Sequence, residues 1–322
     1  MVIRHFINSA DSLAGGAQKV AHQLLAVADK SSLMGFDYLY KDKEKTKTNM
    51  PLCFLTFIFC CLFRRKDTLV LHHRIFLAIN AFLRHPNTYF ICHNIFPNKN
   101  FIFNVDAKVT YIAVSDDVRD YLSNYKGVKK LTTIYNGLDI DRRNVKVCNG
   151  NDVFTVFYVG RLAKQKGVEE LIRGFLIFEL DHPSAVLSII GDGEDREILL
   201  SLASGCRNIN FLGRMDNPFH QCKNADLIVI PSLYEGFGLV YYEALEYGHL
   251  VAASDLDVFE KVPEDEGVIF FEAGDFDAVA HALVRAHQIY STYKYDATKK
   301  RHRFPMVEDM ISQYKKLLVG RL

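Results

Sequence analysis

The chain has 322 residues, of which 49% are hydrophobic and 24% charged, and its formal net charge is +1. This length and composition predict a globular protein with two domains of roughly 150 residues each, and they exclude a disordered or fibrous chain. A charge this close to zero excludes binding to nucleic acid through bulk electrostatics, so no nucleic-acid partner is expected.

Residues 2–8 predict a first strand and lack the apolar core of a cleavable secretory signal. Gly15-Gly16 follows and opens a segment with helical periodicity. A glycine pair there is either an ordinary turn or a loop that lets phosphate reach the backbone N–H groups of a helix start. Residues 41–50 are polar and lysine-rich and predict a mobile surface loop. Residues 52–63 form an apolar run, too short to span a bilayer as a helix. Being apolar all round, it is either a buried helix or a segment lying in a membrane interface. Lys43, Lys45 and Lys47 precede it, and Arg64, Arg65 and Lys66 follow it. On the second reading, segment 51–66 meets an anionic membrane surface. The seven cysteines, including Cys53, Cys60 and Cys61, show no zinc spacing. An odd number in apolar settings predicts reduced thiols in a cytoplasmic protein.

Residues 68–71 and 88–92 read as strands ending at His72-His73 and at His93-Asn94. Residues just past the carboxyl ends of parallel strands line the ligand crevice of a doubly wound sheet. His93 is therefore a candidate site residue, with His72 and His73 behind it. The alternative is a histidine hydrogen-bonded for structure alone. Residues 109–114 predict a strand, with Ser115 as the N-cap of a helix whose first turn carries Asp116 and Asp117. Asn136-Gly137 is a turn signal, and residues 141–152 form a polar linker.

From residue 154 onward, strands, glycine loops and helices alternate, the pattern of a parallel sheet covered on both faces. Residues 154–159 lead into a loop that holds Arg161 and Lys166. Cations at a strand end either grip a diphosphate or are simply solvated. Residues 185–190 end at Gly191, and residues 209–212 at Gly213-Arg214. The apolar run 225–230 ends at Pro231-Ser232. Then come Glu235, Gly236, Phe237 and Gly238, and a helical segment that carries Glu243 and reaches Gly248, a fitting C′ residue. Strand, glycine turn and helix in that order aim N–H groups and a positive helix end at an anion. Each carboxylate can accept hydrogen bonds from two hydroxyls, which suits a sugar or a ribose. The plain alternative is a structural turn with two ordinary glutamates.

The stretch Ser232-x-x-Glu235-Gly236-Phe237-Gly238-x-x-x-x-Glu243-Ala244 resembles the Glu-x7-Glu signature of retaining glycosyltransferases, specifically glycosyltransferase family 4, of the type that builds bacterial surface polysaccharides. Gly160-Arg161-Leu162 with Lys166-Gly167, His93-Asn94-x-x-Pro97 and Asn136-Gly137-x-Asp139 are similar to further segments of that family. The resemblance implies an α/β protein of the GT-B fold, two Rossmann-like domains facing a cleft. Residues 1–145 would bind the acceptor, with a C-terminal helix in 306–322 packing back on them, and residues 146–305 would bind the nucleotide sugar. It implies that Glu235 contacts the donor sugar and Glu243 the ribose. Arg161 and Lys166 would hold the diphosphate and stabilise the leaving group. Gly15, Gly16, Gly236, Phe237 and Gly238 would border the donor, Gly213 and Arg214 its base, and His93 the reaction centre and acceptor.

The expected reaction is retaining transfer of a hexosyl unit from a UDP-linked sugar to a glycan or lipid-linked saccharide, in lipopolysaccharide, O-antigen or capsule assembly. It needs no metal and no cofactor, and it takes place in the cytoplasm or on the inner membrane's cytoplasmic face. Gly248-His249-Leu250-Val251 stands where family members often have Gly-x-Pro-Val, which leaves the donor-sugar contacts of that loop open. A sugar-nucleotide epimerase of the same fold, or a non-catalytic nucleotide-binding member, are the alternatives.

Overall fold

The computed structural model describes residues 2–12, 15–41, 44–95, 101–141, 153–259, 267–293 and 304–320. Lys43, Pro97 and most of the expected linker, 142–152, lie outside the described residues. The chain divides into two units, Met1–Gly137 with Pro305–Leu322, and Leu138–Phe304.

The first unit holds β1 (Ile3–Phe6), β2 (Ser31–Met34), β3 (Tyr38–Lys41), β4 (Glu44–Lys47), β5 (Thr68–Leu71), β6 (Thr88–Cys92), β7 (Thr110–Ala113) and β8 (Lys130–Thr133). They form one sheet in the order β4-β3-β2-β1-β5-β6-β7-β8. From β2 to β8 the pairs are parallel, and β3 and β4 join antiparallel. β5 and β6 are buried along their whole length, which is why they read as unbroken apolar runs. The chain reverses its direction of growth between β1 and β5. Helices α1 (Gly16–Gln23), α2 (Met50–Phe63), α3 (Arg74–Leu83) and α4 (Asp116–Ser123) connect the strands. Ser115 caps α4, its hydroxyl accepting from the Val118 N–H at 3.2 Å.

The lysine-rich stretch is not a loop where it is described. Residues 44–47 are the edge strand β4, paired with β3. Its side chains are exposed, and the Lys45 ammonium sits 3.9 Å from the Tyr38 ring centroid. An edge strand needs no apolar alternation, and lysines there discourage pairing with another chain, so its composition mimics that of a loop.

The apolar run is α2, capped by Asn49, whose side chain accepts from the Leu52 N–H at 2.9 Å. One face packs inward through Cys53, Phe57, Cys60 and Cys61. Phe57 and Phe76 of α3 meet edge to face at 5.1 Å, and both rings contact Phe6 of β1. The other face is open, with Leu55 66% and Phe63 70% exposed and Met50, Leu52, Phe59 and Leu62 about half exposed. No helix among the described residues is long and apolar enough to cross a membrane.

The second unit holds β9 (Thr155–Val159), β10 (Val186–Ile190), β11 (Ile209–Gly213), β12 (Leu227–Ile230), β13 (Val251–Ser254) and β14 (Val268–Phe271). All pairs are parallel, in the order β11-β10-β9-β12-β13-β14. This is the dinucleotide-fold order, and it reverses between β9 and β12, where ligands bind in such sheets. Helices α5 (Val168–Asp181), α6 (Arg196–Leu202), α7 (Pro218–Gln221), α8 (Leu239–Glu246) and α9 (Phe276–Tyr293) accompany the strands. One core cluster, including Val156, Leu171, Phe175, Leu187, Val229 and Leu283, fills this unit. Helix α10 (Val307–Leu318) belongs to the first unit. There the Met310 sulfur takes the Gly137 N–H at 3.3 Å, and Tyr314 is fully buried.

Candidate active site

Two loops meet where the second sheet reverses. One follows β9 and makes a short 3-10 turn at Lys164–Lys166 before Gly167 starts α5. The other follows β12 through Pro231 and Ser232 and enters α8 at Gly238. The Leu233 N–H donates to the Gln165 carbonyl at 2.8 Å, which ties the loops backbone to backbone. Gly167 has φ +61°, and a Cβ on it would stand 1.9 Å from the Pro231 carbonyl oxygen. Only a residue without a side chain permits that approach.

The loops also share an ion pair. The Lys166 ammonium donates to Glu235 Oε1, and the Ser232 hydroxyl donates to the same oxygen at 2.9 Å. Lys166 is 21% exposed and Glu235 11%, so the pair is mostly shielded from solvent yet still reachable. Below it lies Tyr158, whose hydroxyl donates to the Arg161 carbonyl at 2.8 Å. Burial, and then the Glu235 carboxylate, push the Tyr158 phenol well above its ordinary value, so it stays a neutral donor.

Arg161 is brought to the same loop but held elsewhere. Its guanidinium bonds Glu194, on the loop after β10, at 3.0 Å, and both side chains are exposed. Three strand ends are laced together here. A Cβ on Gly191 would lie 1.8 Å from the Gly160 carbonyl oxygen, and the Gly191 N–H donates to the Gly213 carbonyl at 2.8 Å. Gly213 has φ +74° with open space around it, and Arg214 beside it is exposed. Gly238 has φ +79° and backs onto the Phe259 ring, while Phe237 packs on Tyr242 at 4.9 Å. Glu243 is buried on α8, and Gly248, φ +81°, ends that helix as its C′ residue.

In the first unit Gly15 and Gly16 open α1 just after β1. His93 follows β6 and is joined by two other histidines. His72 Nδ1 lies 2.9 Å from His93 Nε2, with the rings stacked at 12°. His72 Nε2 lies 3.1 Å from His5 Nδ1 on β1. Burial holds His5 down to about 3 and His93 to about 4, and it lowers His72 well below its usual range, so all three rings are neutral at physiological pH. His73 instead caps α3, accepting from the Ile75 N–H at 3.3 Å. Among the described residues, no group of three His, Cys, Asp or Glu is arranged to hold a metal ion.

The geometry thus joins Lys166 with Glu235 and His93 with His72, and it holds Arg161 on Glu194. Sequence reasoning missed Tyr158, Glu194 and His5. In the sequence Ser232 reads only as part of a strand end, although its Ser-x-x-Glu spacing suits the hydroxyl–carboxylate bond that a tight turn makes.

Residues 122–303, more than half of the chain, match the family model described as glycosyl transferases group 1. The chain is 31% identical over 147 residues to an uncharacterised 41.2 kDa protein of the cps region of Klebsiella pneumoniae, 42% of this chain and 39% of that one. It is 33% identical over 141 residues to the alpha-monoglucosyldiacylglycerol synthase of Acholeplasma laidlawii, 41% of this chain and 35% of that one. The chain thus matches well under half the length of these curated relatives. Among solved structures it superposes on Anabaena HepE, crystallised with UDP and glucose, with a TM-score of 0.76 over 100% of both chains at 17% identity. The fold is GT-B, with a parallel-sheet Rossmann-like core in each α/β unit, and the chain belongs to the glycosyl transferases group 1 family.

Proposed function

We propose that the protein is a retaining glycosyltransferase of family 4 that moves a hexosyl unit from a UDP-sugar to a lipid-linked glycan during bacterial surface-polysaccharide assembly. The observation that carries this reading is the Lys166–Glu235 pair at the sheet's reversal point. A nucleotide sugar offers a diphosphate and vicinal hydroxyls side by side. Donor binding then exchanges partners, the diphosphate taking Lys166 and the sugar hydroxyls taking Glu235. Arg161 likewise leaves Glu194 for the diphosphate, and Glu243 takes the ribose. The anomeric C–O bond breaks with its electron pair going to the diphosphate oxygen. The acceptor hydroxyl attacks from the same face and gives its proton to that diphosphate. Arg161, Lys166 and the backbone N–H groups of Gly236 and Gly238 stabilise the growing negative charge. His93 is the acceptor-side residue. The cps-region relative and the UDP and glucose bound by HepE support the pathway and the donor class.

A thermal-shift panel of nucleotide sugars tests the donor. The right one at about 100 times its Kd adds roughly 2.7 kcal/mol of stability. We expect a UDP-sugar to give the largest shift and turnover to survive EDTA, because two cations serve the diphosphate. Loss of activity in EDTA, restored by magnesium or manganese, would contradict the metal-independent mechanism. Isomerisation of the donor without an acceptor would make the protein an epimerase instead.

The same reading sets α2 on an anionic membrane at the cytoplasmic face. In support, Leu55, Phe59, Leu62 and Phe63 are exposed and are followed directly by Arg64 and Lys66, also exposed. The A. laidlawii relative is named for a diacylglycerol lipid. Each surface cation contributes about 1 kcal/mol toward anionic lipid. Arg64→Gln with Lys66→Gln should therefore weaken sedimentation with phosphatidylglycerol vesicles at low salt by about thirtyfold. Equal binding by the variant, or none by the wild type, would remove the membrane from the scheme.

A further inference from the structure

The Glu235 carboxylate has two oxygens, and both of its donors use the same one. The Lys166 ammonium and the Ser232 hydroxyl each donate to Oε1, the hydroxyl at 2.9 Å. Oε2 has no hydrogen-bond partner among the described residues, and it is not sealed from solvent. A carboxylate oxygen accepts more than one hydrogen bond, so Oε2 is ready to take a hydroxyl. Where Oε2 points is set by whatever holds Oε1.

The two donors differ in freedom. Lys166 is 21% exposed, and its ammonium ends a flexible four-carbon stem, so it can turn to a diphosphate arriving beside it. Ser232 is 1% exposed, and its hydroxyl swings on a short side chain. The backbone on both sides of Ser232 is fixed. The Pro231 carbonyl abuts Gly167, where a Cβ would stand 1.9 Å from its oxygen, and the Leu233 N–H donates to the Gln165 carbonyl at 2.8 Å. Ser232 is thus too deeply set to bind the ligand, and its hydroxyl stays where Oε1 is.

We propose that Ser232 is a positioning residue that keeps Glu235 in place while Lys166 changes partner. It remains on Oε1 when the ammonium leaves for the diphosphate, and it thereby holds Oε2 toward the donor's sugar hydroxyls. It also makes that departure easier. Glu235 is 11% exposed, and a shielded carboxylate left without any donor is costly, so without Ser232 it would retain the ammonium. Ser232 therefore sets the affinity for a diphosphate that it does not touch. The identity of the ligand rests on the transferase reading, whereas the convergence of two donors on one oxygen does not.

The test is calorimetric titration of UDP, at one salt concentration, into the full chain as wild type, Ser232→Ala, Glu235→Gln and the double variant. Ser232→Ala leaves Lys166 on Glu235, so the resting loops keep their ion pair. It should bind UDP about tenfold more weakly, the worth of a hydrogen bond to a charged group. In Glu235→Gln no charge is stranded when the ammonium leaves. Adding Ser232→Ala there should change UDP affinity by no more than about twofold, the scatter of independent sites. An equal loss in both backgrounds would make Ser232 a residue of loop packing alone, and an unchanged affinity in Ser232→Ala would leave it no role. Either result overturns the proposal. A crystal structure of the wild type with UDP should show Lys166 on the diphosphate and the Ser232 hydroxyl still on Glu235 Oε1. A carboxylate turned away from Ser232, or an ammonium still on Glu235, would also refute it. Wild type that binds no UDP would bring down the donor reading and this role with it, whereas the preceding outcomes bring down this role alone.

Discussion

Lys166→Ala should lower kcat by about two orders of magnitude, the typical worth of one preorganised donor to transition-state charge. Two features of the pair sharpen this expectation. Lys166 and Glu235 share one proton-mediated contact at Glu235 Oε1, which also receives the Ser232 hydroxyl. Removing the ammonium therefore frees a carboxylate that is only 11% exposed, and both residues lose their proper setting together. Residues that act as a unit are non-additive. Lys166→Ala with Glu235→Ala should be no slower than the slower single variant. The partner exchange makes a second demand, read in binding rather than rate. In Glu235→Gln the ammonium no longer has a carboxylate to leave, so UDP alone should bind several-fold more tightly while turnover falls. Near-normal kcat in Lys166→Ala would take Lys166 out of the chemistry. Weaker UDP binding in Glu235→Gln would show that the two groups do not compete.

Much of this arrangement was legible because buried parallel strands leave plain marks. β5 and β6 are short apolar runs closed by His72 and His93, and β12 is one closed by Pro231-Ser232, so all three stand out in the chain. The glycines at 167, 191 and 238 were visible too, although not the carbonyl or ring that each must admit. Pairings across the sheet were less legible. Lys166 meets Glu235 because β9 lies beside β12, and His72 joins His5 and His93 because β5 lies between β1 and β6. Strand order is set by crossover connections, and no spacing along the chain records it. The run at α2 left two readings open for a related reason. Nearly every residue in it is apolar, so only its neighbours, Phe6 and Phe76, decide which face is covered. β4 reads as a loop in the sequence because an exposed edge strand and a loop draw on the same residues.

Gly167→Ala should be strongly disruptive to the second unit. At φ +61° an L-residue other than glycine is strained by roughly 1–2 kcal/mol. The added methyl would also lie 1.9 Å from the Pro231 carbonyl oxygen, a backbone atom that cannot rotate aside. Such overpacking costs a further 1–3 kcal/mol or about that, for a total of roughly 2–5 kcal/mol. Gly213→Ala supplies the control. Its φ of +74° brings the same strain, but no heavy atom comes within 4 Å of the new Cβ, so only the backbone part, about 1–2 kcal/mol, applies. Urea unfolding of both variants separates the two contributions. The stability loss has a functional counterpart, because pushing Pro231 away moves Ser232 and Glu235 relative to Lys166. A displacement near 1 Å in a catalytic array costs on the order of a hundredfold in rate. Gly167→Ala should thus lose turnover even where it remains folded, while Gly213→Ala keeps most of its own. Equal unfolding midpoints for the two variants would mean that the loops after β9 and β12 are not locked together at Gly167. The ion pair would then have to hold its geometry without that contact.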